Sequence, residues 1–103
     1  MEQVQAIMAL GALAQETRLE IVRFLVPRGA AGASAGEIAQ HVGASTSRAS
    51  FHLANLERAG LIASVRASRR IIYQARFDQL GGLVAYLLED CCQGIEDVRR
   101  CCL

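Results

Sequence analysis

The sequence predicts a mainly α chain with a small β-hairpin, arranged as a winged helix-turn-helix. Three observations carry that expectation. Two short helical segments meet at a glycine turn, Gly43-Ala44-Ser45. The apolar period then changes from about 3.6 residues to 2 after Gly60. Finally, residues 45–76 hold six arginines (Arg48, Arg58, Arg66, Arg69, Arg70, Arg76) against one acid, Glu57.

Each element has its own local reason. In residues 4–13, Val4, Ile7 and Met8 form one helical stripe, widened by Leu10. Residues 15–26 repeat the pattern with Leu19, Val22 and Val26, joined by Ile21 and Leu25, until Pro27 and Gly29 stop it. Residues 28–36 read as a Gly/Ala/Ser loop. Ser34 to Glu37 then spell a capping box ahead of a short helix over 37–42, which Gly43 closes. Ser45 or Thr46 can cap the next helix, which runs to about Ala59. Residues 61–66 and 71–77 alternate as two strands around the polar tip Ala67-Ser68-Arg69-Arg70. A final helix opens at Asp78, with Leu80, Leu83, Val84, Leu87 and Leu88 on one face, and runs into Cys91-Cys92 before Gly94 can break it. The expectation is a single domain over 1–103, with the wing at about 61–77 and a cysteine-bearing segment at about 89–103. A subunit this small, with 52% hydrophobic residues, predicts a homodimer joined through its first and last helices.

Charge and length narrow the function. The net charge is +1, yet residues 45–76 carry +5 and the remainder −4, with no lysine anywhere. A basic middle between acidic ends suits a segment that faces phosphates. A charged face kept for solubility has the same composition, and turn, wing and charge together favour double-stranded DNA. Ser47, Arg48 and Ser50 fall on the outer side of the second helix, flanked by Thr46 and His52, where small hydroxyls and one guanidinium can reach base edges. Phe51 also projects outward on this count. Arg66, Arg69 and Arg70 on the wing would meet phosphates or the minor groove. No apolar run approaches the ~18 residues of a membrane span. Residues 6–14 loosely resemble the apolar part of a signal peptide, but Glu2 is the only charge before them, where a signal is basic. The expected compartment is the reducing cytoplasm. No C-x-x-C or Gly-rich phosphate loop suggests an enzyme or an organic cofactor.

All four cysteines lie in the last thirteen residues, as Cys91-Cys92 and Cys101-Cys102. In a reducing compartment this suggests a thiolate site rather than a disulfide framework. Soft ions select thiolates, and an ion that forms three bonds needs only three sulfurs. Cys91 and Cys92 would supply two. A regular helix turns successive side chains about 100° apart, so its end must unwind to aim both at one ion. The third sulfur, from Cys101 or Cys102, needs the tail to fold back or the partner subunit to donate. Other uses compete. Ile95, Val98 and Cys102 would also suit a short packed helix. Thiols that oxidise or take up a persulfide could move the same element, although Glu89, Asp90, Glu96 and Asp97 should raise their pKa values. A dimeric interaction module that binds no DNA is the remaining alternative.

The segments ALAQETRLEIVRFL and GEIAQHVGASTSRASFHLANLERAGLI, followed by a basic hairpin containing Tyr73, resemble the ArsR/SmtB family of metal-responsive repressors. The most specific part is S-x-H-L-x-x-L-x-x-A-G-L, met by Ser50, His52, Leu53, Leu56, Ala59, Gly60 and Leu61. The resemblance implies a homodimer that covers operator DNA until an inducer binds. Two family metal sites are not matched, since residues 37–42 contain no cysteine and the last helix offers Asp78, Glu89 and Asp90 but no histidine. LVAYLLEDCCQG instead resembles an arsenical-sensing subgroup with a vicinal cysteine pair at the end of the last helix and a later cysteine. That implies arsenite, or antimonite, as inducer at Cys91, Cys92 and one of Cys101 or Cys102.

Overall fold

Seven side chains, Ile21, Leu25, Ile38, Leu53, Leu56, Leu61 and Ile62, are the largest that lose all contact with solvent, and the helices and sheet are arranged around them. The computed structural model describes residues 1–102; Leu103 and the Cys102 side chain lie outside the described residues. Helix α1 spans Gln3–Leu13, α2 Glu16–Leu25, α3 Ala35–Val42, α4 Thr46–Arg58, α5 Phe77–Ala85 and α6 Glu96–Cys102. Strands β1 (Ala33–Ser34), β2 (Ile62–Ala67) and β3 (Arg70–Ala75) form one antiparallel sheet in the order β1-β3-β2. Helices α3 and α4 with the β2–β3 hairpin are the expected winged helix-turn-helix. Among the described residues no helix is long and apolar enough to cross a membrane.

The caps follow the predicted residues. Ser34 Oγ accepts from the Glu37 amide at 3.2 Å, while the Glu37 carboxylate accepts from the Ser34 amide at 3.0 Å. Gly43, at φ 67°, closes α3 in the left-handed conformation. Ser45 caps α4 by accepting from the Arg48 amide. The hairpin is tighter than expected: Ala67 pairs with Arg70, so only Ser68 and Arg69 form its tip.

Ala6, Ala9 and Ala12 are the buried residues of α1, while Val4, Ile7, Met8 and Leu10, the stripe read from the sequence, face outward. Small side chains let α1 lie close to its own subunit, so the bulky stripe is left for something else to cover. Residues 28–36, expected as a loop, contain a 3-10 turn (Val26–Ala31) and the short β1, paired Ala33 to Tyr73 and Ser34 to Ile72. Gly32 is required beside it, because its φ is 55° and a Cβ there would collide with the Tyr73 carbonyl. Finally, the last helix is not continuous. Leu83 is buried in the core, but regular helix ends at Ala85 and a π-turn occupies Tyr86–Cys91.

Leu53 and Leu56 are buried within one apolar cluster that also holds Ile21, Leu25, Ile38 and Leu61. Leu53→Ala or Leu56→Ala should each lower stability by about 2–5 kcal/mol. The check is a urea titration, in which the midpoint should fall with little change in slope.

Candidate nucleic-acid interface and thiol site

Helix α4 is divided lengthwise by its own periodicity. Ala49, His52, Leu53 and Leu56 are buried, whereas Thr46, Ser47, Arg48, Ser50 and Phe51 are exposed. Residues three and four apart share a helix face, so Ser47, Arg48 and Phe51 lie together and Asn55 continues that face. Asn55 Nδ2 donates to the Phe51 carbonyl at 3.0 Å, and Arg58 donates to Asn55 Oδ1 at 3.3 Å. Gln15, at the start of α2, closes one side of a hollow of about 370 Å³ also lined by Ser47, Arg48, Phe51 and His52.

His52 is not on the surface, as its grouping with the DNA-facing residues required. It is 7% exposed and lies edge-on to Phe51, with ring centroids 5.5 Å apart and planes at 67°. Loss of solvation, followed by the nearby positive charges of Arg18 and Arg48, lowers its pKa from 6.5 and favours the neutral ring. Helical counting placed it on a flank, and the rotation that buries Leu53 and Leu56 draws that flank inward.

The wing is tied to the helices at two points. Ser64 Oγ on β2 donates to Glu57 Oε2 on α4 at 2.8 Å, which gives the one acid of the basic segment a structural use. Arg70 Nη2 on β3 lies 3.0 Å from Glu37 Oε1 on α3, and Arg28 Nη2 lies 3.5 Å from the other oxygen. The hydrogen bonds from the Ser34 amide and hydroxyl, then the two guanidiniums, hold the Glu37 carboxyl below its ordinary pKa. Arg70 therefore leans towards α3, although its side chain is still 61% exposed. Arg66 and Arg69 have no ion-pair partner among the described residues. Sequence reading identified Glu37 as a cap and missed its second use, because a contact across 33 positions leaves no local signal.

At the other end of the molecule the π-turn alters the geometry of the cysteine pair. The Cys92 amide donates to Leu87 O at 3.1 Å and the Gly94 amide to Leu88 O at 2.8 Å, so the chain is wound wider than an α-helix. Gln93 and Gly94, at φ 56° and 66°, then reverse its direction. Arg99 Nη1 meets Glu89 Oε1 at 2.7 Å, which holds α6 against the turn. Cys91 is exposed and Cys92 half-buried. Partial burial, then the neighbouring Cys91 thiol, raise the Cys92 pKa. Its cause is thus different from the acidic surroundings expected, since Glu89 is paired with Arg99 and Glu96 lies 3.5 Å from Arg100. Cys101 is exposed on α6, and the Cys102 thiol lies outside the described residues. Among the described residues no three His, Cys, Asp or Glu side chains converge on one metal-sized site.

Residues 13–65 match the family described as a helix-turn-helix domain. The chain is 37% identical over 83 residues to the HTH-type transcriptional regulator YgaV of Escherichia coli, covering 81% of this chain and 82% of that protein. Its fold is similar to an ArsR-like transcriptional regulator from Rhodococcus sp. RHA1, with a TM-score of 0.75 and 33% identity over 96% of this chain and 88% of the other. A structure described as a possible transcriptional regulator for arsenical resistance aligns with a TM-score of 0.65 and 30% identity, over 77% of this chain and 79% of that one.

The buried histidine generates a pH signature. Because its folded pKa is lowered, the unfolded chain binds the His52 proton more readily. The stability it contributes is complete above about pH 6.5 and is lost as the pH falls below that value. Glu37 and Asp78, held below ordinary values of 4.5 and 3.8 chiefly by hydrogen bonds from Ser34 and Arg76, withdraw their contributions only in more acid solution. Urea midpoints should decline from about pH 6.5 downward, and His52→Gln should flatten that limb while leaving the acid limb. An identical slope in the variant would mean that His52 is solvated.

Proposed function

Because this chain belongs to the ArsR family of winged helix-turn-helix transcriptional regulators, we propose that it is a cytoplasmic repressor responsive to As(III) or Sb(III). The observation that carries this reading is the adjoining pair of thiols, Cys91 and Cys92, on a widened turn at the end of α5. As a homodimer it would cover operator DNA, with Thr46, Ser47, Arg48 and Ser50 in the major groove and Arg66, Arg69 and Arg70 on the backbone.

The donor set suits the ion in part. Cys91 and Cys92, adjacent in the chain at the end of the widened turn, would give two soft sulfurs, and Cys101 or Cys102 the third. The metalloid would supply a soft centre with three bonds to sulfur, displacing the thiol protons. The Arg76 amide donates to Leu61 O at the base of the hairpin, and α5 begins one residue later. A shift of α5 would therefore be felt at the wing. Inducer and operator affinities must be coupled reciprocally, typically by about 1–3 kcal/mol.

A dimer would cover Val4, Ile7, Met8 and Leu10 on α1 and Val84 on α5, all of them exposed. Ile7→Glu or Val84→Glu should then yield monomer in sedimentation, because an unpaired carboxylate in an apolar interface is strongly unfavourable. Wild-type monomer at micromolar concentration would overturn this part of the reading.

One observation favours a second reading. Two vicinal free thiols, one exposed and one half-buried, also suit a switch driven by an oxidant or a persulfide. The decisive measurement is an arsenite titration of the protein on its own promoter DNA. Wild-type protein should release, whereas Cys91→Ser and Cys92→Ser should bind DNA normally and stay bound, since serine offers a hard oxygen in place of sulfur. Release by oxidant together with indifference to arsenite would select the redox reading. Full arsenite response in the double variant would remove these cysteines from the inducer site.

A further inference from the structure

Phe51 is left over from the contacts assigned so far. It sits in the exposed face of α4 with its side chain directed at solvent, 63% exposed, among Ser47, Arg48, Ser50 and Asn55. The exposed apolar residues of α1 form a contiguous stripe that another apolar surface can cover. Phe51 is a single apolar residue in polar and basic surroundings, so a protein partner has little to bury there. The basic setting instead suits a polyanion that carries one small apolar group. In the major groove of DNA that group is the thymine 5-methyl. The ring lies edge-on to buried His52 at 5.5 Å, and the Phe51 backbone carbonyl accepts from Asn55. It forms one wall of the hollow of about 370 Å³ whose other walls are Gln15, Ser47, Arg48 and His52.

We propose, resting on the DNA-binding reading above, that Phe51 is a sequence-reading residue that packs against a thymine methyl in each half-site while Arg48 and Ser47 address the neighbouring base edges.

The test begins with duplexes selected from a randomised pool by the wild-type protein. Each thymine of the enriched site is then replaced singly by deoxyuridine, which removes only the methyl. One position per half-site should bind wild-type protein about fourfold more weakly, the scale of one buried methyl group. Phe51→Ser should bind the thymine and deoxyuridine forms of that position equally, with the salt dependence of the wild type. Wild-type protein indifferent to every deoxyuridine would overturn the proposal, without recourse to any variant. So would a Phe51→Ser protein that keeps the penalty, or one that loses self-association instead. Enrichment of no duplex at all, with no salt-dependent binding, would overturn the DNA-binding reading and this inference with it.

Discussion

Leu53 and Leu56, buried with Ile21, Leu25, Ile38, Leu61 and Ile62, hold α4 at one rotation about its own axis. A helix has about 3.6 residues per turn, so fixing those two side chains fixes all the others. Ala49 and His52 are drawn inward by the same rotation, and Ser47, Arg48, Ser50 and Phe51 are turned outward. The core and the exposed face of α4 are therefore one constraint. A change that altered the packing of Leu53 would also re-aim Arg48.

The wing depends on that placement through polar contacts that are individually weak. Glu57 on α4 accepts from Ser64 on β2, and Glu37 on α3 meets Arg70 on β3. An exposed ion pair such as Arg70–Glu37 is screened by solvent and contributes little to stability. Such a contact can orient the hairpin without locking it, and a phosphate could compete for Arg70 at little cost. Arg66 and Arg69, without acidic partners among the described residues, would meet a phosphate with no such exchange.

Much of this was legible in the sequence, wherever a local signal controlled the outcome. The Ser34–Glu37 capping box, Gly43, Ser45 and the change of period after Gly60 each act over a few residues, and the elements follow them closely. Less was legible where distant contacts decided. Alanines form the inner face of α1, because what matters there is how near the helix can lie to the rest of the subunit. The two residues of β1 carry no period of their own and exist because β3 offers them partners. The π-turn at Tyr86–Cys91 is likewise invisible in an apolar pattern that continues through Leu87 and Leu88. Of the candidate site, the exposure of Ser47, Arg48 and Ser50 follows directly from helical spacing, whereas the burial of His52, which lies on a flank, does not.

The carboxy-terminal segment differs energetically from the rest. Beyond Leu83 its held contacts are half-buried Tyr86 and Leu87, the wide turn and the Glu89–Arg99 pair, whose side chains are both 49% exposed. Segments with few buried apolar contacts occupy the low end of a protein's stability range, and elements that move in regulation are drawn from there. An ion pair this exposed again contributes about 0–1 kcal/mol. A coupling of about 1–3 kcal/mol, typical between two sites, would be enough to redraw the path of α6. The same energy would be too small to unseat Leu53 or Leu56, whose truncation costs about 2–5 kcal/mol. A signal entering at Cys91 and Cys92 would thus reposition whole elements on an intact core, through α5 and the base of the hairpin, and leave the face of α4 itself unchanged.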